Sequence, residues 1–422
     1  MHILFLTDNF PPEVNAPASR TFEHCREWVN AGHTVTVITC APNFPKGRLF
    51  DGYKNRLWQV EEMAGIRVIR VWSYIAANQG FARRILDYIS YMISATIAAP
   101  FVRRVDLVIG TSPQFFTVCA AYLVSRLKRI PFVFELRDLW PETIRAVDAV
   151  RSSRILDAVE KVALFLYRKA DMIVSVTHAF KDNLAARGID PAKIQVVTNG
   201  CDLSFFTPRP KDVDLVRELA IDGKFVAGYI GTHGLTHGLE TLISAARILQ
   251  DTDETDRIRI LMLGDGATKA GLMAQANELG LRNILFIGTV PKSEVPRYWS
   301  LLDVSIIHLR KDPLFKTVIP SKLFECMGMG IPVLHGVEGE SAGIVERENV
   351  GVTFEPENAA QLVANLRLLQ ADPERLASYR RNAALAAHRY DRRALAGRML
   401  EHLTSLVPCS EAADPLNSER VR

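Results

Sequence analysis

Two Rossmann-like, doubly wound α/β domains in tandem are the fold class this sequence predicts, and three observations carry it. Over the first half of the chain, short apolar runs bounded by polar turns alternate with helical patterns. The alternation restarts at Phe225, after a stretch with two prolines and no clear periodicity. The 422 residues, 48% apolar and 23% charged, suffice for two full hydrophobic cores.

In the first half, His2–Thr7, Thr34–Thr39, Arg67–Val71, Asp106–Ile109, Phe132–Glu135, Asp171–Ser175 and Ile194–Val197 read as strands. Most are continuous Val/Ile/Leu runs, as expected for parallel strands buried on both faces. Helical patterns fill the gaps at about Ala18–Asn30, Phe81–Val102, Phe115–Leu127, Arg154–Lys169 and Ala179–Ala186. This first domain is expected over residues 1–200, closing at an Asn199-Gly200 turn, with a linker over 201–222. The second is expected over 223–390, with strands at Phe225–Ile230, Ile258–Leu263, Ile284–Ile287, Val304–Ile307, Ile331–Leu334 and Gly351–Phe354. Pro373–Leu406 reads as one or two helices, and the polar tail 407–422 as disordered. The N-terminus opens directly on a strand, so no signal peptide is expected.

Composition narrows the function. A net charge of +4, with no dense Lys/Arg stretch interleaved with aromatics, argues against nucleic-acid binding. The six cysteines are scattered without a C-x-x-C pair and read as reduced core thiols of a cytoplasmic protein. Asp251-Thr-Asp253 and Asp212-Val-Asp214 imitate a metal-binding D-x-D, but both lie in polar connections. No metal site and no bound cofactor are expected.

The most informative stretch is Thr317–Glu346, TVIPSKLFECMGMGIPVLHGVEGESAGIVE. Pro320 suits the first turn of a short helix over Ser321–Met327 that stops at the Gly328–Gly330 pair. The free N–H groups of Ser321 and Lys322, at the positive end of that helix, would seat an anion. Glu325, one turn on, would point into the same place and accept hydrogen bonds from vicinal hydroxyls. A phosphate seat with a carboxylate one turn away suits a nucleotide's diphosphate and ribose.

The run FECMGMGIPV resembles the "EAMA-x-G-x-PV" segment of retaining GT-B glycosyltransferases of family 4, and the likeness extends from Met1 to about Leu406. It is greatest to the WbuB-like (L-fucosamine transferase-like) transferases of O-antigen and capsule assembly. The resemblance implies two Rossmann-like domains with a cleft between them and a last helix, 391–406, crossing back to the first domain. It places Glu325 on the second of two glutamates spaced eight apart and Thr317 where the first would be. It puts Asn15-Ala16 where relatives have a Gly-Gly pair, with Arg20 beginning the helix as a phosphate contact. In GYIGTHGLTHGLETL it puts Thr232 and His237 where relatives carry Arg and Lys, beside Gly231 and Gly234, leaving Lys322 and helix N-termini to neutralise the diphosphate. Gly264 and Gly266 of LMLGDGATKAGL would lie near the nucleotide, and Val290 along the base.

FELRDLWPE (Phe134–Glu142) masses charge at the end of a strand, which seldom serves packing. Asp138, beside Arg137, could orient or deprotonate an acceptor hydroxyl. Ala82–Arg104 is apolar between two Arg-Arg pairs, with Asp87 inside. It reads either as a core helix or as one resting on an anionic bilayer. Together with the resemblance, which implies retention, these readings lead to the expectation of a metal-independent retaining transferase. It would move a sugar, N-acetylated or deoxy, from a UDP-sugar to a polyprenyl-diphosphate-linked saccharide for bacterial surface polysaccharide. Its partners would be that donor, that acceptor and the cytoplasmic face of the inner membrane. A UDP-HexNAc 2-epimerase-type isomerase and an inert GT-B scaffold are the alternatives.

Overall fold

The structure is a computed structural model and describes residues 1–407 apart from 45–46, 76–80, 140–152 and 256. The chain divides into two compact units. One holds Met1–Ser175, Leu184–Val197 and the chain from Ala396 on; the other holds Val176–Asn183 and Thr198–Leu395. Of the expected tail 407–422, residues 408–422 lie outside the described residues, as do Trp140 to Glu142.

The first unit is built on β1 (His2–Leu6), β2 (Thr34–Cys40), β3 (Trp58–Met63), β4 (Ile66–Val71), β5 (Leu107–Thr111), β6 (Phe132–Leu136), β7 (Met172–Ser175) and β8 (Ile194–Val196). They form one sheet of order β3-β4-β2-β1-β5-β6-β7-β8. All pairings are parallel except that of β3 with β4. Ile3 to Leu6 of β1 are fully buried, as a central strand covered on both faces requires. The winding reverses between β1 and β5, which leaves a crevice beyond their carboxyl ends.

The hairpin β3–β4 was not expected in full, because only β4 reads as a strand. Its turn is Ala64-Gly65, both with positive φ (50° and 76°). That is the geometry of a two-residue hairpin turn, but alanine at its first position hides the usual Asn-Gly or Asp-Gly signature. Along β3 exposure alternates residue by residue, the mark of a half-covered edge strand.

Arg20 does not begin a helix or face a ligand. The helix starts at Ala16, capped by Asn15, so Arg20 lies in its second turn. Its guanidinium is 2% exposed, donates to Glu135 Oε1 at 3.0 Å and to Val197 O at 3.1 Å, and so ties the helix to the strand ends. Burial pushes the Glu135 carboxyl up, but Arg20 and Arg137 together hold it below the usual carboxylate range. This corrects the expected phosphate contact: a buried guanidinium with these partners is structural.

The second unit has β9 (Phe225–Ile230), β10 (Ile258–Leu263), β11 (Ile284–Ile287), β12 (Val304–His308), β13 (Val333–Gly336) and β14 (Gly351–Thr353). Their order is β11-β10-β9-β12-β13-β14, all parallel, with the reversal between β9 and β12. Two apolar layers pack on its faces, one around Leu323, Phe324 and Trp299, the other around Leu242, Ile260 and Leu366. Residues 201–222, read as a linker, contain a helix, Val213–Glu218, and bury Cys201, Phe206, Leu215 and Ile221 in the first of these layers. Two prolines masked that apolar spacing. Asp212 caps this helix and pairs with Arg297, which gives the Asp212-Val-Asp214 run a structural use.

Pro373–Ala387 and Arg392–Thr404 are separate helices joined by a short turn. In the first unit, the Trp28 indole N–H donates to Ala396 O at 2.9 Å, and Met399 and Leu403 are fully buried.

Removing one partner of the Arg20–Glu135 pair should strand a buried charge. We expect Arg20→Ala to lose about 3–5 kcal/mol of unfolding free energy in urea. Arg20→Met with Glu135→Leu should recover much of that loss. An Arg20→Ala variant as stable as the parent would show that the pair contributes nothing.

Candidate functional site

In the second unit the crevice at the β9/β12 reversal is built from two loops and one helix N-terminus. After β9 the chain runs Gly231-Thr232-His233-Gly234, and after β10 it runs Gly264-Asp265-Gly266. The two loops lie back to back, with His233 N–H bonded to Asp265 O at 2.9 Å. A Cβ on Gly264 (φ 139°) would sit 2.0 Å from Gly231 O, so glycine there lets the two backbones touch. Gly264 and Gly266 therefore serve loop packing; Gly266 would meet His233 O at 2.3 Å.

The helix starts one residue later than expected, at Lys322, with Ser321 as N-cap and Pro320 before it. Gly328 does not stop it; the helix runs to Met329 and ends on Gly330 in the left-handed conformation. The next strand is correspondingly late, Val333–Gly336, because Ile331 N–H still bonds back to Cys326 O. Lys322 reaches over from this helix start to the first loop. Its ammonium lies 3.7 Å from the Tyr229 ring centroid, and a Cβ on Gly231 would come within 2.8 Å of it. Among the described residues no oxygen accepts from this ammonium. Burial lowers its pKa to about 8, against the opposing pull of Glu325 and Cys326.

Two histidines share that environment. His237, on the short 3-10 turn Leu235–His237, has its Nδ1 unpartnered, while its carbonyl accepts from His308 Nδ1 at 2.7 Å. His233, which sequence reasoning did not single out, is fully buried with both ring nitrogens unpartnered among the described residues. Burial first, and then neighbouring cations including Lys322, bring both imidazoles to about 4. Near neutral pH these imidazoles are therefore uncharged, each with one donor and one acceptor nitrogen, and the cation at this loop is Lys322, whose ammonium can take an anion. The signal for His233 was its place between two loop glycines, which its apolar burial obscured.

The other expected donor-site residues are placed as follows. Thr232 is exposed, and its carbonyl accepts from the Tyr229 hydroxyl. Thr317 ends the turn Pro313–Thr317, its hydroxyl donating to Leu314 O at 2.6 Å. Glu325 is half-buried one turn after Ser321. Val290 packs against the apolar layer around Leu323.

In the first unit, the β1/β5 reversal carries a cavity of about 260 Å³ lined in part by Asp8, Asn15, Asp87, Tyr88 and Gln114. Asn15 caps its helix through Oδ1 and donates to Asn9 Oδ1 at 2.6 Å. The N–H groups of Arg137 and Asp138 both reach Ser112 Oγ, at 2.8 and 3.3 Å, which stitches the end of β6 to that of β5. Burial raises Asp138 to about 6, opposed by Arg137, and does the same to Asp8. A carboxyl near 6 divides between acid and base at neutral pH, as proton transfer requires. Among the described residues no group of three His, Cys, Asp or Glu side chains could hold a metal ion.

The chain is 25% identical to the putative colanic acid biosynthesis glycosyl transferase WcaI of Escherichia coli over 87% of this chain and 91% of that one. It is 22% identical to the probable glycosyltransferase WbjE of Pseudomonas aeruginosa over 62% and 65%. Among solved structures, Anabaena Alr3699/HepE in complex with UDP superposes with a TM-score of 0.71 at 18% identity, covering 96% of this chain and 100% of that one. Sucrose-phosphate synthase from Thermosynechococcus elongatus gives 0.75 at 16% identity, covering 96% and 98%. These likenesses show the two-domain GT-B fold. Residues 15–200 match the family described as glycosyl transferase 4-like domain, and residues 212–386 match glycosyl transferases group 1. With both halves of its chain matched in order, this protein belongs to the family 4-like, group 1 glycosyltransferases.

Proposed function

We propose that this glycosyltransferase moves a sugar, with retention, from a UDP-sugar to a polyprenyl-diphosphate-linked saccharide in bacterial surface polysaccharide synthesis. The observation that carries the donor half is the Lys322 ammonium, held over Gly231 without an oxygen partner among the described residues, beside His233 and the likewise unpartnered Nδ1 of His237. A diphosphate supplies the missing acceptors, and it gathers negative charge as the glycosidic bond breaks. Lys322 and the N–H groups at Ser321 and Lys322 stabilise that leaving group, and Glu325 accepts from the ribose hydroxyls. UDP is favoured because Alr3699/HepE, with the same fold, is described in complex with UDP. At Thr317 a hydroxyl replaces the carboxylate of relatives, which suits a donor sugar with fewer hydroxyls to read, deoxy or N-acetylated. Asp138, oriented through Ser112 and tuned by Arg137, is the group we assign to the acceptor hydroxyl. The surface-polysaccharide setting rests on two relatives, the putative colanic acid biosynthesis transferase WcaI and a putative teichuronic acid biosynthesis glycosyltransferase of Bacillus subtilis.

The lipid-linked acceptor is supported by the helix Phe81–Ala98, whose two sides differ. Arg84, Asp87, Tyr88 and Tyr91, at helical spacing, line the cavity of the first unit. On the opposite side Leu86, Ile93 and Ile97 are exposed, Ile97 by 64%, and Phe101 continues the stripe. Arg83, Arg103 and Arg104 are exposed at its ends. An apolar stripe flanked by arginines matches an anionic bilayer surface. Asp87 is turned away from that stripe, so it does not oppose docking. No helix among the described residues is long and apolar enough to cross a membrane.

Calorimetry with UDP tests the donor site. Glu325→Ala should weaken UDP by roughly 1.5–3 kcal/mol. Lys322→Ala should weaken UDP much more than uridine. Because burial holds free Lys322 near 8 and a bound diphosphate favours its charged form, UDP affinity should fall as pH rises through that value. Lys322→Met should flatten the fall. Equal losses for UDP and uridine, with an unchanged pH profile, would make the lysine structural.

Transfer should persist in EDTA, since the leaving group is neutralised by side chains and amides. Loss on chelation that Mg²⁺ or Mn²⁺ restores would overturn the metal-free account.

Flotation with acidic liposomes tests the membrane. Replacing Arg83, Arg103 and Arg104 by Gln should remove on the order of 1 kcal/mol of attraction per residue. The variant should stay in the aqueous fraction while still acting on a short soluble acceptor. Flotation equal to the parent at low salt would leave only a core helix.

A further inference from the structure

The cavity at the β1/β5 reversal carries more negative charge than an acceptor hydroxyl needs. Asp8 follows β1, Glu13 lies in the loop before the helix Ala16–Asn30, and Asp87 comes from the helix Phe81–Ala98; all three line it. Among the described lining residues Arg84 is the one cation. The walls also hold two buried polar atoms that nothing in the described protein satisfies. Glu13 is 4% exposed; its Oε1 accepts from Asn43 and Phe44 N–H at 2.8 Å each, and its Oε2 has no partner. Gln114 is 3% exposed; its Oε1 accepts from Thr117 N–H and Oγ1, which fixes the amide's orientation and leaves Nε2 without an acceptor. A buried donor and a buried acceptor in the walls of one cavity each cost free energy unless a partner completes them.

A sugar ring supplies both partners: a hydroxyl or amine N–H for Glu13 Oε2, and a ring or hydroxyl oxygen for Gln114 Nε2. At about 260 Å³ the space is below the usual range for drug-sized ligands, roughly 300–1,000 Å³, and suits one ring. We propose that this cavity takes the acceptor's terminal sugar as an uncharged or amine-bearing ring, and that Asp8, Glu13 and Asp87 exclude a ring bearing a carboxylate. This deepens the transferase reading and rests on it. The exclusion is electrostatic: a further carboxylate would enter a desolvated site where the carboxyls already repel one another. Their mutual strain is visible in Glu13 and Asp87, both raised to about 7 by burial and then by neighbouring carboxylates, with Arg84 opposing at Asp87.

Saturation-transfer NMR on the full chain decides this, with methyl glycosides of glucose, galactose and mannose, their 2-amino forms and their uronates as probes. At least one neutral or amino glycoside should receive saturation, and its uronate should bind at least about tenfold more weakly. Glu13→Gln should weaken the neutral ligand, and Glu13→Gln with Asp87→Asn should admit the uronate. Thermal unfolding checks that the variants fold and reads the same charges independently. Because the folded-state pKa of Glu13 is raised, its stabilising contribution is present below its unfolded value and is lost as pH rises through about 7. Glu13→Gln should therefore gain in Tm over the parent at about pH 8 and not at about pH 5. Uronates binding as well as neutral glycosides, silence from every glycoside, or no response to the double variant would overturn the proposal. UDP calorimetry on the same sample separates that outcome from failure of the transferase reading, because the donor residues lie in the other unit.

Discussion

A parallel sheet wound in both directions from a central strand cannot be covered by helices at the carboxyl edge where the winding reverses. That constraint organises both units of this protein. In each, the connections leaving the two strands at the reversal turn to opposite faces, so their loops part and leave a crevice. Every unpartnered polar group used in the functional account stands at one of these crevices: Lys322, His233 and His237 in one unit, Glu13 and Gln114 in the other. Elsewhere the same chemistry is consumed by structure. Arg20 is equally ionic, but Glu135 and Val197 O take it up.

The two crevices are lined by ionisable groups of opposite kind, bases in one and acids in the other. The second unit gathers an ammonium and two imidazoles around a glycine loop, and burial depresses all three. The first gathers carboxyls, and burial raises them. Both departures have one cause, the expense of holding a charge away from water, and each is relieved by a ligand of the complementary kind. In our proposal an anionic leaving group answers the first set, and hydroxyl-rich or amine-bearing rings answer the second.

The helix Phe81–Ala98 joins the acidic crevice to the protein's outer surface. Tyr91 anchors it, its hydroxyl donating to Thr7 O and Ile38 O at 2.9 and 2.8 Å beside the ends of β1 and β2. Residues three, four and seven positions apart then share the cavity side, and the exposed apolar residues fall on the other. A single amphipathic period thus serves packing, the cavity wall and the surface stripe.

The strand and helix sequence was legible because parallel strands buried on both faces are continuous apolar runs, and nearly all of those runs became strands. The exceptions have local causes: a hairpin turn led by Ala64, and a strand delayed to Val333 by a helix whose end still bonds Ile331. The helix start at the Pro-Ser-Lys turn was also legible, since a proline before a short apolar period is a local feature. Partners distant in sequence were not legible. Whether a charged residue at a strand end faces a ligand or a counter-ion depends on what other segments bring to it. Tertiary structure therefore decided that Arg20 is spent on Glu135, over a hundred residues away. It decided that Lys322 meets Gly231, and that Asp87, Glu13 and Asp8 share one cavity. Sequence determines which charges exist and on which elements they ride; only the folded chain determines which are neutralised and which remain for a ligand.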